Sequence, residues 1–438
     1  MNPSFSGQIF TIFTSDLAGT GFSFLLSIAV ARLLGPGDLG LLVLLWAVIQ
    51  WVDKLGRWRW DDAAVYLLGK KEYGPARISR YVAGLSLVVS FIWVMALGAG
   101  YPVLERYLFK REVARLWYFL ALAHIPMIFL LTNQRKFLLA LDEVRAYGRT
   151  LWFIPLGQVI VLLSASTMVE INLGWVLAVS FLVHLWIVLW SSARNAGHIK
   201  EAEMTPAPGL LGRLIKEGFR YFVATTPAFL QLRLDIFMVG YFLSTREVAF
   251  YSLAVTAGEM IWKLPNSVNA LLFPKVSRLE IKEAFELTAK TFRCTAVIMI
   301  AMAACGAVAI RPVTRVFYGS NFMELVTPFF ILLPGTVCLG LSRVLMNHFL
   351  GLNRLSGVFW IQLTAAFANI TADLFFIPVW GMEGAALASA LTYAGTLAAF
   401  LVSFKRGIPA QARVLLLPAC QDFDLCRQLI LRAKYFLR

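Results

Sequence analysis

Charge is what this chain has least of. Of its 438 residues only 15% are Asp, Glu, Lys or Arg, while 59% are hydrophobic and 14% aromatic; a soluble chain carries about 25% charged residues. A soluble globular protein is thereby excluded, and a polytopic membrane protein is the composition's reading. The five cysteines (Cys294, Cys305, Cys338, Cys420, Cys426) are scattered, three in apolar segments and two in the tail, so no disulfide framework is expected. The four histidines (His124, His184, His198, His348) have neither cysteine nor a second histidine at metal-ligand spacing. No metal or other cofactor is expected. There is no phosphate-cradling G-x-x-x-x-G-K-[ST] stretch, which argues against an ATPase within the chain. The opening "MNPSFSGQIFTIF" lacks Lys and Arg and shows no small-residue cleavage site, so the first apolar run is expected to be a retained helix.

Apolar runs are abundant. About 20 such residues cross a bilayer, and the runs predict twelve spans, at 7–33, 38–60, 79–102, 113–134, 147–168, 172–192, 216–243, 247–270, 287–310, 324–350, 355–379 and 382–404. With the N-terminus inside, and basic residues near span ends counted with the adjoining loops, 29 of the 40 Lys and Arg residues fall to inner loops and the C-terminal tail, 8 to outer loops and 3 (Arg233, Lys263, Arg343) to span interiors. That asymmetry predicts cytoplasmic termini and a cytoplasmic membrane location. The net charge of +15 then belongs beside anionic lipid headgroups and not on nucleic acid. The tail "FDLCRQLILRAKYFLR" (423–438) has the pattern of an amphipathic helix lying on the inner leaflet.

The chain also resembles itself. Shifted by 209 residues, "LLGPGDLGLLVLLWAVIQWVDKL" (33–55) overlies "FLSTREVAFYSLAVTAGEMIWKL" (242–264), with Lys54-Leu55 on Lys263-Leu264. "GWVLA" (174–178) overlies "GAALA" (384–388) at a shift of 210. A duplicated six-helix unit is expected, giving parallel repeats because six is even. The domain plan is a six-helix lobe over 1–192, a cytoplasmic linker over 193–212, a second six-helix lobe over 213–405 and a cytoplasmic tail over 406–438. A binding site between two such halves is the expected design.

Several charges lie too deep for loops, where each costs several kcal/mol unless it meets a partner or a wet surface. Arg233 stands thirteen residues past Arg220, about 20 Å along a helix. Asp235 is two residues on, about 200° around the helix, so the two cannot pair with each other. Glu259 and Lys263 are spaced for a pair within one helix. Asp16, Asp53, Lys54, Arg343 and Asp373 are also placed within spans, and "VDKLGRWRWDD" (52–62) suggests a second helix that continues past Gly56 and carries Arg57 and Arg59 to the inner mouth. The expectation is a central cationic cavity in which Arg233, Lys263, Lys54, Arg57 and Arg343 hold an anionic headgroup such as a diphosphate. Asp16, Asp53, Asp235, Glu259 and Asp373 are read as coupling or structural carboxylates. Structural pairing of all these charges is the competing reading. Mid-span prolines (Pro126, Pro155, Pro227, Pro265, Pro334) would permit bending.

"ARLLGPGDLGLLVLLWAVIQWVDKLG" (31–56) resembles the first hairpin of polysaccharide and O-antigen flippases of the multidrug/oligosaccharidyl-lipid/polysaccharide exporter superfamily. "DIFMVGYFLSTREVAFYSLAVTAGEMIWKLPNSVNALLFPKVSRL" (235–279) resembles their seventh and eighth helices, including Asp235, Tyr251 and the "LFPKVSRL" exit. The resemblance implies an all-α, V-shaped, two-lobed transporter that moves a polyprenyl-diphosphate-linked glycan outward by alternating access. Arg233 and Lys263 would then contact the diphosphate. The charged, aromatic "RWRWDD" departs from the family pattern. Expected partners are the lipid-linked glycan, membrane lipids and glycan polymerase or export machinery, with the chain functional as a monomer. A cation-coupled multidrug exporter is the alternative within the superfamily, although basic Arg233, Lys263 and Arg343 disfavour it. A membrane-embedded glycan polymerase or ligase is a further alternative, and short outer loops disfavour that. The single D-x-D, at Asp422 and Asp424, is too common a spacing to indicate a glycosyltransferase. The chain is therefore expected not to be an enzyme.

Overall fold

The computed structural model describes residues 5–70, 73–196, 209–276, 280–352 and 354–407. The charged tail, most of the 193–212 linker, Cys420, Cys426, His198 and the side chain of Lys263 lie outside the described residues. Among those described, the secondary structure is helical throughout: α1 Phe5–Trp51, α2 Trp60–Gly69, α3 Pro75–Ala99, α4 Tyr101–Leu104, α5 Arg115–Leu122, α6 His124–Ala140, α7 Val144–Ala165, α8 Leu173–Ala196, α9 Leu210–Phe242, α10 Thr245–Val276, α11 Ile281–Val313, α12 Val326–Gly351 and α13 Leu355–Gly407.

Eight of the described helices are long and apolar enough to cross a membrane, or nine if α9, interrupted between Val223 and Thr226, counts as one. Helix length thus yields fewer spans than the twelve apolar runs, for two physical reasons. First, α1 and α13 each contain two runs joined through one glycine, Gly35 (φ 70°) and Gly381 (φ 59°), in backbone regions an L side chain rarely adopts. Both glycines fall where the apolar runs were divided, between 33 and 38 and between 379 and 382. Second, α10 is not among the eight, its apolar stretch being diluted by Glu259 and Lys263. Large apolar side chains such as Phe91, Met95, Leu182, Trp360 and Phe375 are exposed on the helix surfaces, as lipid contact requires. The protein is a multi-pass membrane protein.

By packing, the chain divides into two units: residues 1–226 with 244–249, and 227–243 with 250–438. The division passes through α9 between Thr226 and Pro227, so the first half of α9 belongs with the first unit. In the first unit α1 lies along α7 closely enough that a Cβ on Gly148 would sit 2.3 Å from Ser15 Oγ, the small-residue contact typical of helices in lipid. Inside it, Asn133 Nδ2 donates to Ser86 Oγ (2.6 Å) and Gln158 Nε2 to Ser180 Oγ (2.8 Å). In the second unit a Cβ on Gly335 of α12 would sit 2.4 Å from the Ala390 Cα of α13. Phe285, His348, Phe349, Phe400 and Phe404 form its aromatic core, and Thr288 hydrogen-bonds the His348 ring at 2.8 Å.

The internal repeat reappears in the elements. Wide π-type turns follow α4 and α11, at Glu105–Phe109 and Thr314–Tyr318, and their residue numbers differ by 209 throughout. The helical stretch Arg115–Ala140 has its counterpart in Val326–Gly351, offset by 211 at both ends.

Candidate functional site

The second helical segment does not continue past Gly56, contrary to the sequence expectation. α1 ends at Trp51, a π-type turn runs over Val52–Gly56, and Trp58 and Arg59 take left-handed backbone (φ 42° and 53°) before α2 begins. A Cβ on Gly56 would sit 2.4 Å from the Trp93 indole nitrogen, so only glycine lets α3 approach the turn. The turn folds Arg57 inward. Its Nε donates to Asp53 Oδ1 at 2.7 Å, its NH1 lies 3.1 Å from Asp61 Oδ1, and its guanidinium stands 5.8 Å from the Phe129 ring. Arg57 and both carboxylates are almost wholly buried. Burial pushes the Asp61 carboxyl up, but Arg57, Lys136 and Arg59 outweigh it and hold the group below its ordinary value. Arg57 and Asp53 are therefore interior partners. Lys54 differs: its ammonium reaches Asp53 Oδ2 at 2.9 Å and stays 43% exposed. Asp16, on α1, is exposed and makes no ion pair among the described residues.

In the second unit the deep charges sort into two groups. Arg233 on α9 pairs with Glu259 on α10, NH2 to Oε1 at 3.0 Å and to Oε2 at 3.2 Å, with the side chains 31% and 24% exposed. Its partner comes from the neighbouring helix, so the structure supplies what helical spacing could not. Arg343 on α12 places its guanidinium 3.8 Å from the Trp262 ring centroid, and the charges of Glu259 and Arg233 both act on it. Arg343 thus brings a second guanidinium into the neighbourhood of the partly exposed Arg233–Glu259 pair.

The other group is acidic and enclosed. Asp235 is 1% exposed; its Oδ2 accepts the Tyr251 hydroxyl at 2.5 Å and its Oδ1 the Ile236 N–H at 2.8 Å. Ser389 Oγ lies 3.4 Å from the same hydroxyl. Asp373 on α13 is fully buried, and among the described residues neither of its carboxylate oxygens has a hydrogen-bond partner. Its charge and that of Asp235 act on each other. Two carboxyl groups are thus enclosed in one unit, and one of them has no donor among the described residues.

The polysaccharide biosynthesis protein model matches residues 29–327, well over half of the chain. This protein belongs to the polysaccharide biosynthesis protein family. No curated protein sequence matches it closely enough to count as a relative. Among solved structures, the fold is similar to "Lipid II flippase MurJ, inward closed conformation", at TM-score 0.74 and 13% identity over 97% of this chain and 92% of that one. It is similar also to the MATE multidrug transporter DinF-BH (0.68, 14%, covering 95% and 98%) and to an inward-facing MATE family transporter of the MOP superfamily (0.67, 12%, covering 91% and 97%). At such identities these likenesses establish the fold of this family member, as the sequence resemblance implied. The site residues that sequence reasoning missed in it, Trp262 and Ser389, are uncharged. Their places beside Arg343 and Tyr251 depend on contacts between helices remote in the chain, and no helical periodicity encodes those.

Proposed function

We propose that this protein is a flippase that translocates a polyprenyl-diphosphate-linked oligosaccharide, an O-antigen, capsule or exopolysaccharide unit, across the cytoplasmic membrane by alternating access. The carrying observation is the Arg233–Glu259–Arg343 cluster in a chain of the polysaccharide biosynthesis protein family. Guanidiniums match phosphate oxygens in bidentate geometry. Glu259 then serves as the resting counter-ion that the diphosphate displaces from Arg233. Lys263 is assigned to the same headgroup, and in the first unit Lys54 is the candidate anion contact. The role of the MurJ neighbour named as a lipid II flippase supports this reading, whereas the MATE neighbours keep multidrug export as the second one. The guanidiniums of Arg233 and Arg343 favour the first. The chain acts as a carrier and not as a glycan polymerase or ligase, and it works as a monomer alongside the polymerase and export machinery.

Asp235 and Asp373 are assigned the coupling step. Uptake of a proton or a monovalent cation would relieve the donorless Asp373, and its release would reset the empty carrier. The test of substrate binding is Arg233→Ala in a flippase-deficient strain. Export should be lost while the variant reaches the membrane in normal amount, and wild-type export would refute the assignment. Both termini are assigned to the cytoplasm. A cysteine introduced by Ser320→Cys, in the exposed turn before α12, should then react with an impermeant thiol reagent from outside, and labelling only after permeabilisation would invert the topology.

A further inference from the structure

The transport cycle above makes no use of one cleft in the first unit. It is formed by Asp62, Val65, Tyr66, Lys136, Leu139 and Tyr221 and encloses about 370 Å³, toward the small end of ligand-sized pockets. The unusual "RWRWDD" stretch builds its rim. Left-handed Trp58 and Arg59 turn the chain sharply into α2, and α9 is seated on that turn. A Cβ on Gly218 would lie 2.6 Å from the Trp58 carbonyl oxygen and 2.9 Å from the Trp60 nitrogen. Two consecutive non-glycine residues at positive φ are held only where the surroundings compel them, and such strain gathers at functional sites.

The chemistry of the walls is specific. Asp62 is clamped by Lys136 Nζ on Oδ1 (2.6 Å) and by Arg59 Nε on Oδ2 (2.7 Å). Arg59 NH2 also reaches Oδ2, at 2.6 Å, so the lone-pair capacity left over is on Oδ1. Tyr66 and Tyr221 present exposed rings, with the Lys70 ammonium 4.7 Å over the Tyr66 ring. Val65 and Leu139 complete an apolar floor. An anion here would face the Asp62 carboxylate, and Lys136 and Arg59 are already bound to it. An alkyl chain would strip water from the Asp62–Lys136 pair and offer nothing in return. A polyol suits both parts: hydroxyls donate to Asp62 and accept from Lys136, while a flat C–H face lies on a tyrosine ring.

We propose that this cleft is a subsite for an uncharged sugar ring of the lipid-linked glycan, distinct from the diphosphate contact at Arg233; the glycan's identity as cargo rests on the flippase reading. The test is saturation-transfer NMR on the purified full chain with free D-glucose, D-galactose, L-rhamnose and N-acetylglucosamine, each with and without pyrophosphate. At least one sugar should receive saturation, and pyrophosphate should not displace it. Tyr66→Ala and Tyr221→Ala should each weaken binding at least tenfold, while Tyr66→Phe and Tyr221→Phe retain it, with thermal melting confirming that each variant is folded. Should one alanine variant fail to fold, the other decides.

The proposal is overturned if none of the four sugars binds, if a folded alanine variant binds like wild type, or if pyrophosphate competes, which would make the cleft an anion site. The outcome is separable from that of the flippase reading. Sugar binding together with normal export by Arg233→Ala would leave the cleft standing and sink the flippase. Lost export by that variant with no sugar binding would do the reverse.

Discussion

Replacing Arg57 by methionine would remove the cation from an almost fully buried Asp53–Arg57–Asp61 triad, in which the two ion-pair contacts measure 2.7 and 3.1 Å. Truncating one partner of a buried pair costs about 3–5 kcal/mol, mostly because a charge is left behind unpaired. Lys54 stays on Asp53, and Lys136 and Arg59 still act on Asp61, so the lower end, about 3 kcal/mol, applies. For a unit of this size each kcal/mol moves Tm by about 2–4 °C. Arg57→Met should therefore lower the melting temperature by roughly 6–12 °C. The triple variant Arg57→Met/Asp53→Asn/Asp61→Asn should recover most of that loss, because no buried charge then lacks a partner. Thermal melting of the detergent-purified variants by intrinsic fluorescence, set beside export in cells, is the assay. If Arg57→Met melts within about 2 °C of wild type (a shift worth at most ~1 kcal/mol) yet loses export, the interior role is wrong and Arg57 holds substrate after all.

Asp373→Asn should raise thermal stability or leave it unchanged when protons and monovalent cations are scarce, since it removes a buried carboxylate with no donor. The same change should abolish the dependence of export on the driving ion, and an ion response equal to wild type would remove Asp373 from coupling. The turn at Glu105–Phe109 gives a pH test. Glu105 accepts the Tyr101 hydroxyl and, at 3.0 Å, the Val113 N–H, and these bonds hold its carboxyl below the ordinary 4.5. A depressed native value means that the stabilisation is present above about pH 4.5 and is lost as pH falls through the native value. Hydrogen exchange of residues 105–113, corrected for intrinsic rates, should show faster opening at pH 3 than at pH 7. In Glu105→Gln that difference should vanish, and an equal pH response in both proteins would refute it.

Much of the architecture is written locally. An apolar run long enough to cross a bilayer has no alternative to a helix, because every backbone N–H and C=O must be satisfied within the segment. The expected runs and the observed helices accordingly agree over most of their length, from 79–102 against Pro75–Ala99 to 324–350 against Val326–Gly351. Gly35 and Gly381 mark their breaks in the sequence itself, since each needs a backbone conformation that other residues resist. The repeat was legible for a similar reason, as a constant offset survives in the order of elements even where side chains have diverged.

The site was legible only in part. Counting charges within spans picked out Arg233, Asp235, Glu259, Arg343 and Asp373, because a charge in an apolar run is conspicuous. What each charge does was not legible, because its partner lies on another helix. Arg233 finds Glu259 on α10, Asp235 finds Tyr251, and Asp373 finds no donor at all among the described residues. The inward fold of Arg57 and the cleft beside Asp62 depend on a left-handed turn at Trp58 and Arg59 that neither residue prefers. That turn sits where α9 packs closely against it. The sequence by itself determined that this chain is a membrane-spanning helical repeat with buried charge. The tertiary structure decided which charges neutralise one another and which stay partly exposed, because pairing is a property of neighbouring helices and not of spacing along one.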